Sequence, residues 1–472
     1  MRRVVLALAA ALALAGCMMG PNHVDPRPAA PAQDPFLSGR SPAFTGDEPP
    51  GRWWSLFQDP VLDSLIEEAL RANTDLRVAA ANLRRARAVL RETRSGLFPT
   101  ADFSASATYT RQSGDQIGFP AGSGGEDESY NVGIDASYQI DLFGRIRRAI
   151  QASRADLGAA QAAFDVSRIT VAAETARAYA DACSAGRQIV VARETIRIQE
   201  ETADLTRRRF EGGRGTALET NQAGALLDQV RATLPALEAQ RQTALFRLAV
   251  LVGRPPANFP REVATCQTPP TLARPVPIGD GASLLARRPD IRRAERELAA
   301  ATARVGVAVA SMYPRIELGG SIGSAATSLS GLGSSDSFRF SLGPLITWSF
   351  TDLAVGRARV IQAEANAEGA LATFEGTWLR ALEETESALT RHARELDQLA
   401  ALRRSRAQSA EAARLARLRF RAGRDPFQVV LDAERAIAQA DAAVAQSEAR
   451  VSDNLVTLFL ALGGGWQEPP QG

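Results

Sequence analysis

The sequence repeats its own plan once, with a lag of about 210 to 215 residues. Leu97–Pro99 returns as Met312–Pro314, and Arg209–Gly213 returns as Arg419–Gly423. Solenoid repeats have periods of roughly 20 to 50 residues, so this much longer lag indicates a duplicated half and not a stacked array. Each half reads as a helix, two strands, a very long helix and a further helix. One chain therefore supplies two similar segments of something larger.

Charge narrows the class of protein. The chain has 472 residues and a formal net charge of +2, and two of its positive charges, Arg2 and Arg3, lie at the extreme N-terminus. The remaining basic residues are scattered, whereas binding to nucleic acid needs a one-sided basic surface that neutralises phosphates. We therefore expect no nucleic-acid partner.

The first residues read as a targeting segment. Arg2 and Arg3 precede the apolar run Val4–Ala15, which is too short to span a bilayer comfortably. Leu14–Cys17 (LAGC) follows and resembles a bacterial lipobox, a motif that implies cleavage before the cysteine and lipidation of Cys17. The position after the cysteine is Met18 and not Asp, which in such lipoproteins is compatible with export to the outer membrane. The alternative is an ordinary signal peptide with an incidental cysteine.

These features divide the chain into six predicted segments. They are a signal peptide (1–16), a lipidated N-terminal tether (17–58), a first structural repeat (59–253), an inter-repeat linker in an equatorial region (254–279), a second repeat (280–463) and a C-terminal tail (464–472). The tether is rich in Pro, Ala, Gly and Asp, and the aromatics of Trp53–Phe57 suggest that it docks on the body. Cys183 lies in a helical pattern and Cys266 in a distant Pro-rich loop, so we expect two unpaired thiols.

Four segments alternate apolar and polar residues with a period of two. They lie at 102–110, 130–140, 316–324 and 338–347, and Gly343–Pro344 predicts a bulge or bend in the last of them. Strands of about 10 residues with one apolar face are typical of a transmembrane β-barrel. Such barrels need at least about 8 strands to close, and a bilayer tolerates no open sheet edge, so several chains must share one barrel. The alternative is a soluble β-sandwich with one buried face.

Very long helices follow each pair of strands. Arg145–Phe210 and Arg357–Phe420 contain no Pro and few Gly, and each would be roughly 100 Å long at 1.5 Å per residue. After a tight turn, helices return to about Leu251 and Leu462, over about half of that length. The predicted helices before the strands, 60–96 and 280–312, have the length needed to stack end to end on the returning helices.

Several motifs together resemble the TolC-like outer membrane factor family, in its lipoprotein branch of the NodT/OprM type. They are the lipobox, Trp53–Trp54 with Asp59–Pro60, Tyr138–Arg145, Arg288–Ile291 with Ala294–Glu295, Tyr313–Pro314 and Leu462–Trp466. The resemblance implies a mainly α fold with a β-barrel portion. In it, three identical chains of four strands each form a transmembrane barrel, which a long periplasmic α-helical barrel continues. It also implies localisation in the bacterial outer membrane with a lipid anchor.

The resemblance further implies the outer membrane channel of a tripartite efflux system. Such a channel is a passive duct for small molecules, with a periplasmic membrane fusion adaptor, an inner-membrane pump of the RND type and membrane lipid as its partners. Two alternatives stay open. The same fold could serve type I protein secretion, or the chain could be a periplasmic coiled-coil lipoprotein without a pore.

By the same resemblance, the two turns after the long helices would form the periplasmic gate. Asp425 matches the position at which relatives place a ring of acidic residues, although it could equally be an N-cap for the helix expected from Pro426. The candidate residues for the gate or for adaptor contact are Asp425, Arg424, Arg419, Arg209, Gly212, Gly213, Arg214 and Gly423. The second strand-to-helix junction departs from the family pattern at Thr351 and Leu353–Val355, which puts its geometry in doubt.

Catalysis finds little support, and we expect no enzyme. Gly319–Gly323 spells a nucleophile-elbow motif, but it lies inside an alternating strand with no helix directly after it. His23 falls in the tether and His392 on a long helix, where a surface or interhelical place is expected. No metal ligands are predicted, and the lipid on Cys17 is the only expected covalent group.

Overall fold

A computed structural model describes residues 18–26, 30–111 and 126–464. The signal peptide, Cys17, residues 112–125 of the first strand-connecting loop and the tail from 465 lie outside the described residues. The lipidation of Cys17 therefore stays a prediction.

Nine α-helices lie within the described ranges. They are α1 (Pro60–Ala72), α2 (Thr74–Ser95), α3 (Arg145–Glu211), α4 (Ala217–Arg231), α5 (Thr233–Leu251), α6 (Gly281–Arg287), α7 (Pro289–Ala310), α8 (Leu353–Arg421) and α9 (Phe427–Ala461). The two very long helices are confirmed, with 67 residues in α3 and 69 in α8. Leu353–Val355, the departure from the family junction, forms the first turn of α8. None of these described helices combines the length and apolar character needed to cross a bilayer.

The described strands form two sheets. The strands are β1 (Phe44–Thr45), β2 (Thr100–Arg111), β3 (Glu126–Ile140), β4 (Val276–Pro277), β5 (Arg315–Ala326) and β6 (Phe338–Thr347). β1 pairs with β4 in parallel, and the other four form one antiparallel sheet in the order β2-β3-β5-β6. The register from β5 to β6 runs without interruption through Gly343 and Pro344, so the predicted bulge is wrong. Pro344 has no N–H to donate, but the pairing of β6 with β5 continues on both sides of it.

Each predicted helix before the strands is in fact two helices. Asn73 leaves the helical conformation after α1, with a ψ of 135°, and its side chain accepts from the backbone N–H groups of Asp75 and Leu76 at the start of α2. Arg288 is extended between α6 and α7 because the residue before a proline, here Pro289, is sterically excluded from the helical region. Single helices over 60–96 and 280–312 are therefore wrong.

The helix breaks at Asn73 and Arg288 are also the places where the returning helices end. Asn73 Nδ2 donates to the carbonyl oxygen of Leu251 at 3.0 Å. At the equivalent place in the second repeat, Arg288 Nη1 donates to the carbonyl oxygen of Ala461 at 2.8 Å, and Arg287 Nε to that of Leu462 at 2.9 Å. The last carbonyls of a helix have no partner within it, so these side chains satisfy groups that would otherwise stay unpaired. The C-terminal ends of the two returning helices, α5 and α9, are thus hydrogen-bonded to the breaks that precede α2 and α7.

The chain separates into two units, and each takes segments from both repeats. The sheet unit comprises the chain up to residue 26 with 83–160 and 294–374, and it contains the four-stranded sheet. The helical unit comprises 27–82, 161–293 and the chain from 375 onward. The core of the helical unit includes part of the tether, since Trp53 is fully buried and its ring stacks on Phe459 at 4.8 Å between centroids. The expected docking of the tether is thus confirmed.

Cys183 and Cys266 form a disulfide within the helical unit, with their Cα atoms 4.8 Å apart. The expectation of two unpaired thiols is wrong. The bond joins α3 to the linker between the repeats. Sequence position gave no hint of this, because 83 residues separate the two cysteines and only the fold brings the linker onto the helix.

Candidate functional site

The four-stranded sheet has one apolar face, and that face is exposed. Phe103, Ile134, Ile322 and Phe340 lie opposite one another in register, one from each strand. Their exposed fractions are 71%, 47%, 52% and 75%. A soluble sandwich would bury such a face against a second layer, and no described element covers this row. The soluble-sandwich alternative is therefore wrong.

The opposite face of the sheet is polar. Asp102, Asp135, Ser321 and Ser341 form a matching row across the four strands, and Ser321 Oγ lies 2.8 Å from Ser341 Oγ. Ser321 is the serine of the apparent nucleophile-elbow motif, and it lies in mid-strand. The strands hold 10 to 15 residues, which suffices for a tilted crossing of a bilayer. Apolar side chains toward lipid and polar ones toward a lumen are the pattern of membrane barrels.

Both turns after the long helices have the same backbone. Gly213 and Gly423 adopt positive φ values of 67° and 70°, which glycine tolerates because it has no Cβ. In each turn an arginine N–H donates back to the helix, from Arg214 to the carbonyl oxygen of Arg209 at 2.8 Å and from Arg424 to that of Arg419 at 2.9 Å. This is the glycine-terminated helix end that satisfies orphan carbonyls. Gly212 precedes Gly213, and the side chains of Arg214 and Arg424 are exposed.

Asp425 is held by an ion pair. Its carboxylate accepts from Arg419 Nε at 2.6 Å and from Arg419 Nη2 at 2.9 Å, in the two-pronged geometry that suits a guanidinium. The hydrogen bond from Arg419 lowers the pKa of Asp425 below its ordinary value. α9 begins at Phe427 with Pro426 as its N-cap and without a side-chain capping bond, so the alternative N-cap role of Asp425 is not the one adopted.

Arg209 connects the two long helices beside the turns. Its guanidinium lies 4.4 Å from the centre of the Phe420 ring, and one of its nitrogens donates to the carbonyl oxygen of Arg214 at 3.3 Å. The Phe420 ring in turn packs on Phe427 with centroids 5.3 Å apart. A cation over an aromatic face contributes on the order of 0.5–1 kcal/mol at exposed sites. The turn regions of the two repeats are therefore joined within one chain.

A buried carboxylate nearby escaped the sequence analysis. Glu434 on α9 is 1% exposed. Arg417 Nε on α8 lies 2.6 Å from its Oε1, and Gln199 Nε2 on α3 donates to its Oε2 at 3.4 Å. Burial raises the pKa of Glu434, and the positive charge of Arg417 opposes that rise. The only available signal was a charged residue at helical spacing from Val430 and Leu431 on a buried face.

His23 is less isolated than its place in the tether implied. Its Nε2 lies 3.2 Å from Asp25 Oδ1, and the carboxylate of Glu295 on α7 completes a group whose polar atoms lie within 4.8 Å of one another. Such a group could in principle hold a cation. However, Asp25 is largely exposed, and Arg296 already lies 3.5 Å from Glu295. The contact places this part of the N-terminal segment against α7.

The sequence matches the family described as outer membrane efflux protein over residues 65–254 and 282–464, one match in each repeat. The chain belongs to this family. It is 33% identical over 468 residues to the outer membrane protein OprJ of Pseudomonas aeruginosa, with 98% of this chain and 96% of that protein covered. It is also 31% identical over 469 residues to the solvent efflux pump outer membrane protein SrpC of Pseudomonas putida, with 98% of each covered.

Solved structures agree with the sequence relatives. The outer-membrane channel OprN is 36% identical with a TM-score of 0.90, and the match covers 96% of this chain and 100% of that one. The open state of the MtrE outer membrane channel of Neisseria gonorrhoeae is 29% identical with a TM-score of 0.83, covering 97% and 100%. The chain is thus an outer membrane efflux channel protein with a large periplasmic helical extension, and it is the outer membrane component of an efflux system. The alternative of a coiled-coil lipoprotein without a pore is wrong.

Proposed function

We propose that three copies of this chain close one barrel and form a passive duct for small molecules, anchored by lipid on Cys17 and served by an RND-type pump. The observation that carries the proposal is the four-stranded sheet itself. Within the described residues its edge strands, β2 and β6, each pair on one side only. An edge exposed to lipid leaves backbone groups unsatisfied at several kcal/mol apiece, so the edges must be paired by other copies.

The polar face of the four-stranded sheet favours a passive duct over a selective carrier. Its polar face carries small hydroxyl and carboxylate side chains, as a water-filled lumen requires. Two relatives are named for efflux of toluene and export of pyoverdine, which are chemically unlike each other. A wide wet lumen that leaves substrate choice to the pump accounts for such variety and favours small molecules over secreted proteins.

Cross-linking of the edge strands tests the shared barrel. β2 and β6 are three strand spacings apart in one chain, about 14 Å, which exceeds the reach of a disulfide. Ser104→Cys on β2, combined in turn with a cysteine at Arg339, Ser341 or Gly343 on β6, should therefore cross-link only between chains. We expect ladders that end at a trimer in outer membrane fractions, together with stepwise conductance of the reconstituted protein in planar bilayers.

Matched controls make the result specific. A cysteine at Ser104 paired with one at Gly133, its neighbour on β3, should cross-link within one chain and leave a monomer on denaturing gels. Monomers from every edge pair, or a purified protein without conductance, would contradict the shared barrel.

A further inference from the structure

The residues directly after Cys17 are fastened to the sheet unit by one buried arginine. Arg148 on α3 is 2% exposed. Its Nε donates to the carbonyl oxygen of Met19 and its Nη2 to that of Gly20, each at 2.9 Å, while Nη1 donates to Gln151 Oε1 at 3.0 Å. The guanidinium thus grips two successive carbonyls of the N-terminal segment.

Burial of the charged Arg148 costs free energy unless the N-terminal segment supplies hydrogen-bond acceptors. Burial lowers the pKa of Arg148, and among the described residues its hydrogen-bond acceptors are two backbone carbonyls and the amide of Gln151, none of them a carboxylate. A buried charge that loses its partners destabilises a protein strongly. The carbonyl oxygens of Met19 and Gly20 therefore stand in for the missing carboxylate, and segment and arginine stabilise each other.

The surrounding backbone is shaped for the same contact. Gly20 has a φ of +84°, and a Cβ built on it would lie 2.5 Å from the Cα of Gly306 on α7. A Cβ on Gly306 would lie 2.8 Å from the side chain of Arg148. Only residues without side chains let the segment, α7 and Arg148 approach this closely. Further along, His23 and Asp25 meet Glu295, so the segment follows α7.

The segment starts where the sheet ends. The backbone N–H of Met19 donates to the carbonyl oxygen of Phe143 at 3.3 Å, and a Cβ built on Gly144 would lie 3.0 Å from the Cα of Met18. Both partners lie between the last residue of β3, Ile140, and the first of α3, Arg145. Cys17 is one residue from Met18, about 3.8 Å from Cα to Cα. The residue that follows Cys17 in the sequence thus lies at the strand-to-helix junction.

We infer that Arg148 is the positioning residue that seats the lipid-bearing N-terminus on this junction, so that the acyl chains enter the bilayer beside the strands of their own chain. The inference rests on the proposed lipidation of Cys17. Membrane lipid is the partner. The hydrogen bonds of Arg148 to Met19 and Gly20, here called the clamp, determine where on the protein the acyl chains are attached. The lipid and the barrel then hold the chain in the membrane at one place, and not at two places joined by loose chain.

A spin label on the exposed Asn22 tests the clamp in the full chain, produced in cells that process lipoproteins. Asn22→Cys should offer the only free thiol, because Cys17 carries lipid and Cys183 is bonded to Cys266. In the otherwise unchanged protein we expect a motionally restricted nitroxide spectrum. Arg148→Met keeps the apolar stem but removes the donors, so it should shorten the rotational correlation time of the label several-fold.

Two further variants keep the test decisive. Gly20→Ala leaves Arg148 intact but places a methyl group against Gly306, so it should release the label as well, even if Arg148→Met assembles poorly. Arg154→Gln removes an exposed arginine of the same helix and should leave the spectrum restricted. A label that stays restricted in both Arg148→Met and Gly20→Ala overturns the clamp.

Spin counting separates the clamp from the lipid anchor on which it depends. One label per chain shows that the Cys17 thiol is blocked, as lipidation requires. Two labels per chain would show a free Cys17 thiol, which overturns the anchor. The response of the label at position 22 to Arg148→Met would then still report whether the arginine holds the segment.

Discussion

His392 shows how burial alone sets the charge of a side chain. It is 4% exposed, and its ring lies 6.1 Å from that of Phe44 in the tether. Burial lowers its pKa to about 4, since water is removed from around a group that would otherwise charge readily. Of the two places expected from the sequence, the surface one is wrong, because the tether that covers His392 comes from a distant part of the chain.

The stability of the protein should therefore fall in mild acid. Folding lowers the pKa of His392 from about 6.5 to about 4, so the folded state keeps the ring neutral while the unfolded state binds a proton. The contribution to stability is complete above pH 6.5 and is lost as the pH falls from 6.5 to 4, by about 3 kcal/mol in all. His392→Phe should flatten the dependence of Tm on pH in this window.

Arg391→Gln, next to His392 but exposed, is the matched control and should keep the dependence of the parent protein. Thermal unfolding in detergent at a series of pH values measures both variants. A parallel loss of Tm in the parent protein and in His392→Phe would show that other groups cause the acid sensitivity.

The candidate turn residues show the limits of sequence reasoning for single side chains. The position of Asp425 after a glycine turn was evident, and so was the presence of Arg419. Their pairing was not, because it depends on a helix end that folds back so that residues six apart meet. Glu434 was missed for a related reason, since its partners Arg417 and Gln199 come from two other helices.

Helices and strands were predicted more fully, because periodicity is a local property of the chain. The long helices and all four barrel strands appear where their patterns lie. The errors concern interruptions. The break before Pro289 was readable from the steric effect of proline on the preceding residue, whereas Asn73 reveals itself only by capping α2. The uninterrupted passage of β6 through Pro344 is set by its pairing with β5, which is a property of the sheet and not of the segment.

The disulfide is an element-level link that should contribute strongly to stability. It closes a loop of 83 residues that includes the C-terminal part of α3, the turn after it, α4 and α5. Cross-links of this size restrict the unfolded chain and typically add about 2–4 kcal/mol. Cys183→Ser combined with Cys266→Ser should lower Tm by several degrees without removing the helices from the circular dichroism spectrum.

Reduction supplies the internal control for the disulfide. Treatment with dithiothreitol should lower the Tm of the parent protein to that of the double variant and should leave the variant itself unchanged. Equal Tm values for the oxidised parent and the double variant would show that the bond contributes nothing measurable.

For the assembled channel, the decisive property is that one chain is incomplete. The duplication predicts two similar halves, and closure of a sheet in lipid predicts that copies must cooperate. Neither consideration yields the number of copies, because the curvature of a barrel depends on strand tilt and register between chains. The count of three came only from the resemblance to the outer membrane factor family, and the edge-strand cross-links measure it.

The resting conductance of the channel should depend on Asp425. If the second turn lies at the periplasmic gate, as the resemblance to the family implies, each copy contributes a carboxylate held by its own Arg419. Asp425→Ala removes that ion pair and frees the arginine, so the turn loosens and the closed channel should conduct about 2- to 10-fold more. Arg421→Gln, an exposed residue at the end of α8 that is not among the candidate gate residues, should leave single-channel conductance in planar bilayers unchanged.

The pH dependence of the parent channel follows from the same pair. The hydrogen bond from Arg419 lowers the pKa of Asp425, so the pair persists above the ordinary carboxyl pKa and is lost as the pH falls through the lowered one. Conductance should therefore stay flat from neutral to mildly acidic pH and rise only in stronger acid, and Asp425→Ala should lack this rise. Identical resting conductance in Asp425→Ala and the parent would remove Asp425 from the gate, while the edge-strand cross-links would still decide whether the duct exists.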